Sequence, residues 1–118
     1  MGSIQRFEDI VAWQKARVFT AKIYNLFANL KDYSFKDQVY RASVSITNNI
    51  AEGFERSSNA EFAKFLFIAK GSCGEVRSML YLALDLGYLS TNDVEILLEE
   101  ALEISKMISG LIKHLRSS

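Results

Sequence analysis

Residues 49–72 read NIAEGFERSSNAEFAKFLFIAKGS, with Arg41 ahead of them and Glu75 behind. Two strongly apolar segments meet in this stretch, and in both of them polar residues recur at the three- and four-residue spacing of a helix face. Ser58 followed by Glu61 matches a capping box, which marks the start of a helix. The stretch therefore predicts one helix that ends before Ser58 and a second helix that begins there.

Apolar periodicity extends this pattern to four helices. Their predicted bounds are about Phe7 to Asn29, about Phe35 to Arg56, the Ser58 cap to about Leu86, and Ser90 to the C-terminal region. Each helix carries an apolar row at helical spacing that is predicted to face the core. The rows are Ala12, Ala16, Phe19, Ile23, Leu26 and Leu30; Val39, Ala42, Ile46 and Ile50; Phe62, Leu66, Ala69, Cys73, Val76, Leu80 and Ala83; and Val94, Leu97, Ala101, Ile104, Ile108, Leu111 and Leu115.

Local signals at the helix ends support these bounds. Ser34 followed by Asp37 is typical of an N-cap with an acidic first turn, and Ser90 followed by Asp93 repeats the pattern. Gly87 is placed to end the third helix in the left-handed conformation. Short connections favour antiparallel neighbours, so we predict an all-α fold: an antiparallel up-down-up-down four-helix bundle, with residues 1–118 as a single domain.

Composition excludes several classes of protein. The chain has 118 residues, with 14 basic and 14 acidic side chains and no formal net charge, which argues against a strong electrostatic footprint for nucleic acid or anionic membrane. Its N-terminal sequence has no long apolar core, and no apolar run approaches the ~20 residues of a membrane span. We therefore expect a cytoplasmic protein without a membrane segment.

Catalytic and cofactor sites are not predicted. Cys73 and His114 are the only cysteine and the only histidine, so a cysteine metal cluster and a di-metal site with two Glu-x-x-His motifs are both excluded. No phosphate-binding glycine loop of the Gly-x-x-x-x-Gly-Lys-Ser/Thr kind is present. We expect no catalytic residue, no cofactor and no metal.

A polar motif runs along the second and third helices. Arg41, Ser45, Asn48 and Glu52 share one face of the second helix, and Asn49 lies beside its apolar row. Ser72 and Glu75 interrupt a second apolar stripe of the third helix, where a carboxylate must be paired or must face an edge because burying it alone is expensive. The apolar members of this second stripe are Phe65, Ile68, Met79, Leu82 and Leu86. We predict that the polar motif is structural and that Arg41 is the first candidate to pair with Glu75. Its members are Arg41, Asn48, Asn49, Glu52, Arg56, Ser72 and Glu75.

Two surfaces are candidates for contact with partners. Phe67, Gly71, Gly74, Ser78 and Tyr81 form a stripe at helical spacing on the third helix, and we interpret it as an oligomer interface rather than as scattered surface apolar residues. On the first helix, Lys15, Arg17 and Lys22 could form a nucleic-acid contact, although ordinary solvated cations are the simpler interpretation.

A set of short motifs extends over almost the whole chain. They are Phe7 to Asp9, Trp13 to Ala16, Arg41-Ala42, Ser45-Ile46, Asn49 to Gly53, Arg56, Glu61-Phe62, Phe65-Leu66, Ile68-Ala69, Gly71-Ser72, Glu75 and Leu86 to Leu89. Together these motifs resemble those of a known family, the 23S rRNA intervening-sequence proteins, also called the S23-type four-helix bundle family. The resemblance implies a left-handed four-helix bundle, a ring-like homopentamer, and kinship with the accessory variability protein of diversity-generating retroelements, which binds nucleic acid and a reverse transcriptase.

Two functions follow as expectations. The first is a non-enzymatic homo-oligomer, a pentamer by resemblance, that acts as an accessory factor binding a protein or RNA partner. The second is a dedicated nucleic-acid-binding protein that uses a basic surface of the ring. An even balance of basic and acidic residues favours the first.

Overall fold

The computed structural model describes residues 4–117, and within them a short 3-10 turn precedes four α-helices. The turn covers Phe7–Asp9, and the helices are α1 (Val11–Leu26), α2 (Tyr33–Phe54), α3 (Asn59–Asp85) and α4 (Thr91–Ser117). The predicted four-helix, all-α fold is confirmed. The bundle is 45 Å long and about half as wide, with extents of 21 and 19 Å across.

Contacts between the helices fix an antiparallel order. Tyr24, near the end of α1, stacks on Tyr40 in the first half of α2, and Phe54 at the end of α2 contacts Phe62 near the start of α3. Arg116, near the end of α4, covers the ring of Phe67 near the start of α3. Each contact joins the beginning of one helix to the later part of its neighbour, as an up-down-up-down bundle requires.

The predicted apolar rows form a single core. All four residues of the α2 row and all seven of the α3 row are buried, and so are six of the seven residues predicted for α4. Three residues of the predicted rows are not buried: Leu26 is exposed, and Leu30 and Leu111 are half-buried. At the end of α1 the buried residue is Phe27 instead of Leu26. Leu30 lies beyond α1, which ends before the predicted Asn29, so helical periodicity no longer places it.

The first N–H groups of a helix have no backbone acceptor, and side-chain oxygens accept hydrogen bonds from them at the starts of three helices. Two of the three predicted N-cap residues have this role. Ser58 and Ser90 accept hydrogen bonds from the N–H groups of Glu61 and Asp93, at 3.2 and 3.1 Å, so both of these predictions are confirmed. The predicted Ser34 cap is wrong. Asp32 caps α2 instead by accepting from the N–H of Phe35 at 3.1 Å, so the helix begins two residues earlier than expected.

Gly87 ends α3 in the left-handed conformation, with φ of 74°. The N–H of Tyr88 donates to the carbonyl of Ala83 at 2.8 Å, and the N–H of Gly87 donates to Leu84 at 3.1 Å. This is the hydrogen-bond pattern of a Schellman motif, which satisfies the last carbonyls of the helix. No helix within residues 4–117 is long and apolar enough to cross a membrane.

Candidate functional site

The polar motif joins α2 to α3 through small side chains. The amide of Asn49 donates to both the carbonyl and the hydroxyl of Ser45, at 2.8 and 2.9 Å, and Ser45 in turn meets the hydroxyl of Ser72 at 2.9 Å. Ser72 is buried, whereas Ser45 and Asn49 are half-buried. Because every one of these polar groups has a partner, the network fixes the register of the two helices at little desolvation cost.

Arg41 and Glu75 do not form the predicted ion pair. Both are exposed, and neither makes an ion pair within residues 4–117. The sequence pattern left two possibilities for Glu75, a paired carboxylate or one at an edge, and the structure selects the edge. Glu75 lies three residues beyond the buried Ser72 but is exposed, so its carboxylate does not need a partner inside the bundle.

The rest of the motif lies at the surface. Glu52 and Arg56 form an ion pair of 3.1 Å across one turn of α2, with both side chains about half exposed. Arg56 also covers the ring of Phe65 on α3, 4.9 Å from its centroid. Asn48 is exposed, and its side chain lines a shallow cleft beside Arg41. Exposed ion pairs of this kind contribute little to stability, so these residues are surface groups more than a structural core.

The stripe predicted as an oligomer interface divides between two adjacent faces of α3. Phe67 lines a cleft shared with α4, and the spacing places Gly74 and Tyr81 on the same side. Gly71 and Ser78 belong to the face that points away from the bundle. This outer face of α3, which we define as Ile68, Gly71, Glu75, Ser78 and Leu82, has the same three- and four-residue spacing, and all five of its residues are exposed.

The two central glycines of the predicted stripe, Gly71 and Gly74, are not required by close packing within residues 4–117. A Cβ atom built on Gly71 or on Gly74 meets nothing within 4 Å. Gly53, near the end of α2, is the opposite case, because a Cβ atom there would lie 2.6 Å from the Cβ of Phe65. Gly53 therefore permits close packing of α2 on α3, whereas Gly71 and Gly74 do not serve any packing inside the bundle.

The lysines predicted as a nucleic-acid contact are neutralised. Lys15 forms an ion pair with Glu103 at 2.8 Å, and Lys22 forms one with Glu100. The hydrogen bond to Glu103 is the main cause that raises the pKa of Lys15. Arg17 lies over the ring of Trp13, 5.6 Å from its centroid. The acidic first half of α4 packs beside α1, so the surface around Lys15 and Lys22 has no excess of positive charge.

A different cationic surface, which the sequence reading did not single out, lies between α3 and α4. Lys70, Lys113 and Arg116 line one cleft together with Phe67, and Lys64 extends it toward the start of α3. A sequence signal for it existed, since residues 104–117 contain three Lys and Arg side chains and no acidic one.

Two further groups have altered acidity. Burial raises the pKa of Cys73 to about 12, which suits a core residue and not a nucleophile. The hydroxyl of Tyr88 donates to the second carboxylate oxygen of Asp32 at 2.6 Å, and this bond, with the one from Phe35, holds the pKa of Asp32 below its usual value. Groups of His, Cys, Asp and Glu that could hold a metal ion are absent from residues 4–117.

Comparisons with known proteins agree with this fold. A family model described as 23S rRNA-intervening sequence protein matches residues 8–110. The chain is also similar to the crystal structure of a protein with unknown function from the S23 ribosomal protein family of Bacteroides thetaiotaomicron VPI-5482. The TM-score is 0.81 at 28% sequence identity, and the match covers 87% of this chain and 96% of the other. No curated protein gives a significant match.

Proposed function

This chain belongs to the 23S rRNA-intervening sequence protein family, and we propose that it is a non-enzymatic subunit of a homo-oligomer that acts as a cytoplasmic accessory factor for an RNA or protein partner. A pentameric ring is the assembly that the family resemblance implies. The observation that carries the proposal is the outer face of α3. It combines a glycine that serves no packing within the chain with large apolar side chains that are exposed.

The glycine is informative because it is unfavourable in an isolated helix. Glycine in a helix interior costs about 1 kcal/mol relative to alanine, and nothing near Gly71 would obstruct an alanine side chain. A second backbone or side chain that approaches this face from another copy would give the glycine a packing role, as close helix contacts do elsewhere.

Exposed apolar and charged groups on the same side support a contact between copies. Ile68 is 49% exposed, Leu82 is 48% exposed, and Leu86, one turn beyond, is 55% exposed. Clustered exposed apolar side chains are typical of protein interfaces. Arg41 and Glu75 have no ion-pair partner within residues 4–117. They are therefore available to pair across a subunit boundary, and a contact of α3 with a different face of its neighbour would generate a ring.

Light scattering coupled to size exclusion tests the assembly. The wild type should have a mass several times the 13.4 kDa of one chain, and Gly71→Leu should shift it toward the monomer while far-UV circular dichroism stays unchanged. Gly110→Leu is the matched control, because Gly110 is also helical and also has open space around it. A monomeric wild type, or equal effects of the two substitutions, would refute the proposed contact.

The second candidate, a dedicated nucleic-acid-binding protein that uses Lys15, Arg17 and Lys22, has less support. Two of these three cations are paired with carboxylates, and the third lies over an aromatic ring. A role in RNA binding therefore needs another surface.

A further inference from the structure

Six cations border the cleft between α3 and α4, and we call this surface the basic groove. Its members are Lys64, Lys70, Arg77, Lys106, Lys113 and Arg116. Lys64, Lys70, Lys113 and Arg116 line the cleft directly. Arg77 follows Lys70 by seven residues and Lys106 precedes Lys113 by seven, so each lies on the same face of its helix as its counterpart, two turns further along the groove.

Within residues 4–117, no carboxylate forms an ion pair with a cation of the basic groove. Lys15 and Lys22, on the other side of the bundle, are in contrast both paired. The acidic residues of α4 all lie between 93 and 103, before the groove begins. A chain with no net charge thus places six cations without an ion-pair partner along one cleft, where they create a local positive potential.

Phe67 adds an aromatic surface to this charge. The ring is 46% exposed and lines both parts of the cleft. The guanidinium of Arg116 lies 5.4 Å from its centroid, so the ring also positions a cation at the rim of the groove. Open grooves that combine spaced cations with an exposed aromatic ring are typical of proteins that bind single-stranded nucleic acid without sequence preference.

The dimensions of the groove suit an extended polyanion. Lys106 and Arg116 are 10 residues apart on α4, which at 1.5 Å per residue corresponds to roughly 15 Å. Cations stand on both sides over this length. A compact anion such as free phosphate would contact only one or two of them, whereas a nucleic-acid strand carries a phosphate at every nucleotide and can contact cations along the whole groove.

We infer that the basic groove binds the phosphate backbone of single-stranded RNA. This inference deepens the RNA-binding part of the proposed function and rests on that part alone, since the groove lies within one chain and does not require assembly. It also replaces Lys15, Arg17 and Lys22 as the candidate nucleic-acid contact.

Fluorescence anisotropy with a labelled oligouridine tests the inference. Affinity for the wild type should fall steeply between about 50 and 200 mM salt, because phosphate contacts release counterions. Lys70→Gln/Lys113→Gln should weaken binding at the lower salt concentration and should reduce the logarithmic salt slope by about 1.4, at ~0.7 for each of the two contacts to a single strand. The matched control, Lys15→Gln/Lys22→Gln, should leave affinity and slope unchanged.

The contrary results are equally distinct. An oligouridine that does not bind at low salt, or equal losses in both double variants, would overturn the inference. Competition by polyglutamate as strong as that by unlabelled oligouridine would also overturn it and would point to an acidic protein partner. Light scattering on the same samples reports assembly separately, so a monomeric protein that still binds RNA through Lys70 and Lys113 would refute the oligomer and leave the groove in place.

Discussion

Gly53 is the position at which a single methyl group should do most harm to this bundle. The residue is buried in the last turn of α2, where that helix meets α3. In Gly53→Ala the new Cβ atom would lie 2.6 Å from the Cβ of Phe65, 3.0 Å from Cδ1 of Phe62 and 3.3 Å from the carbonyl oxygen of Phe62. Two of these atoms are backbone or directly attached to it, so a rotamer change cannot remove the clash and the helices themselves must separate.

The magnitude follows from two opposing effects. Overpacking a close contact costs about 1–3 kcal/mol, and a clash with atoms fixed to the backbone belongs at the upper end. Alanine gains up to about 1 kcal/mol over glycine in helix propensity. We therefore expect Gly53→Ala to lower the free energy of unfolding by roughly 2 kcal/mol, the difference between the overpacking cost and the propensity gain.

Urea denaturation followed by far-UV circular dichroism measures this difference, at one fixed protein concentration because assembly would add to the apparent stability. Gly110→Ala is the control, since a Cβ atom there meets nothing within 4 Å and only the propensity gain remains. The two substitutions should thus have opposite signs. If Gly53→Ala is as stable as the wild type or more stable, then α2 and α3 are not held as closely as the Cβ distances imply, and the argument fails.

Two other predictions concern ionisable groups. The hydrogen bonds to Asp32 lower its pKa in the folded protein, so they contribute stability above its unfolded pKa of about 4 that is lost as the pH falls through the lower folded value. Tyr88→Phe should therefore have a lower free energy of unfolding than the wild type at neutral pH, and the difference should become smaller in acid. Urea titrations from neutral pH to below about pH 4 measure this difference. A difference that does not change with pH would contradict the prediction. The Cys73 thiol, with its pKa raised to about 12, should react with a thiolate-specific disulfide reagent only after unfolding, and rapid labelling of the native protein would show that it is accessible.

The sequence predicted the helices and the core correctly because apolar spacing reports burial directly. Cys73 illustrates this, since its place in the α3 row sufficed to predict a core residue, and it is fully buried. The start of α2 was less predictable. Ser34 and Asp32 are both good N-cap residues. Asp32 caps the helix, and its carboxylate also accepts a hydrogen bond from the hydroxyl of Tyr88, which is 56 positions away in the chain. A local sequence pattern cannot predict a contact between residues so far apart in the chain.

The outer side of α3 was predicted only in part, for a related reason. Phe67, Gly71, Gly74, Ser78 and Tyr81 recur at helical spacing and so define a solvent-facing stripe, but a stripe on a helix does not reveal where the neighbouring helices begin to cover it. Once α4 is in place, Phe67 lies beside its cations, while Gly71 and Ser78 stay on the open face. Helical spacing identifies which residues share a face, and only packing shows what that face meets.

Charges depend on packing even more strongly. Lys15 and Lys22 are spaced by seven residues, as are Lys106 and Lys113, and on spacing alone both pairs are equal candidates for a positive patch. The difference arises because α4 runs antiparallel to α1 and places its acidic first half against the lysines of α1, while its second half, without acidic residues, borders α3. The asymmetry of α4 is visible in the sequence, where it also suits the helix dipole. Only the arrangement of the bundle converts it into one neutral surface and one positive groove, and for this reason Lys70 and Lys113 are the better residues to test.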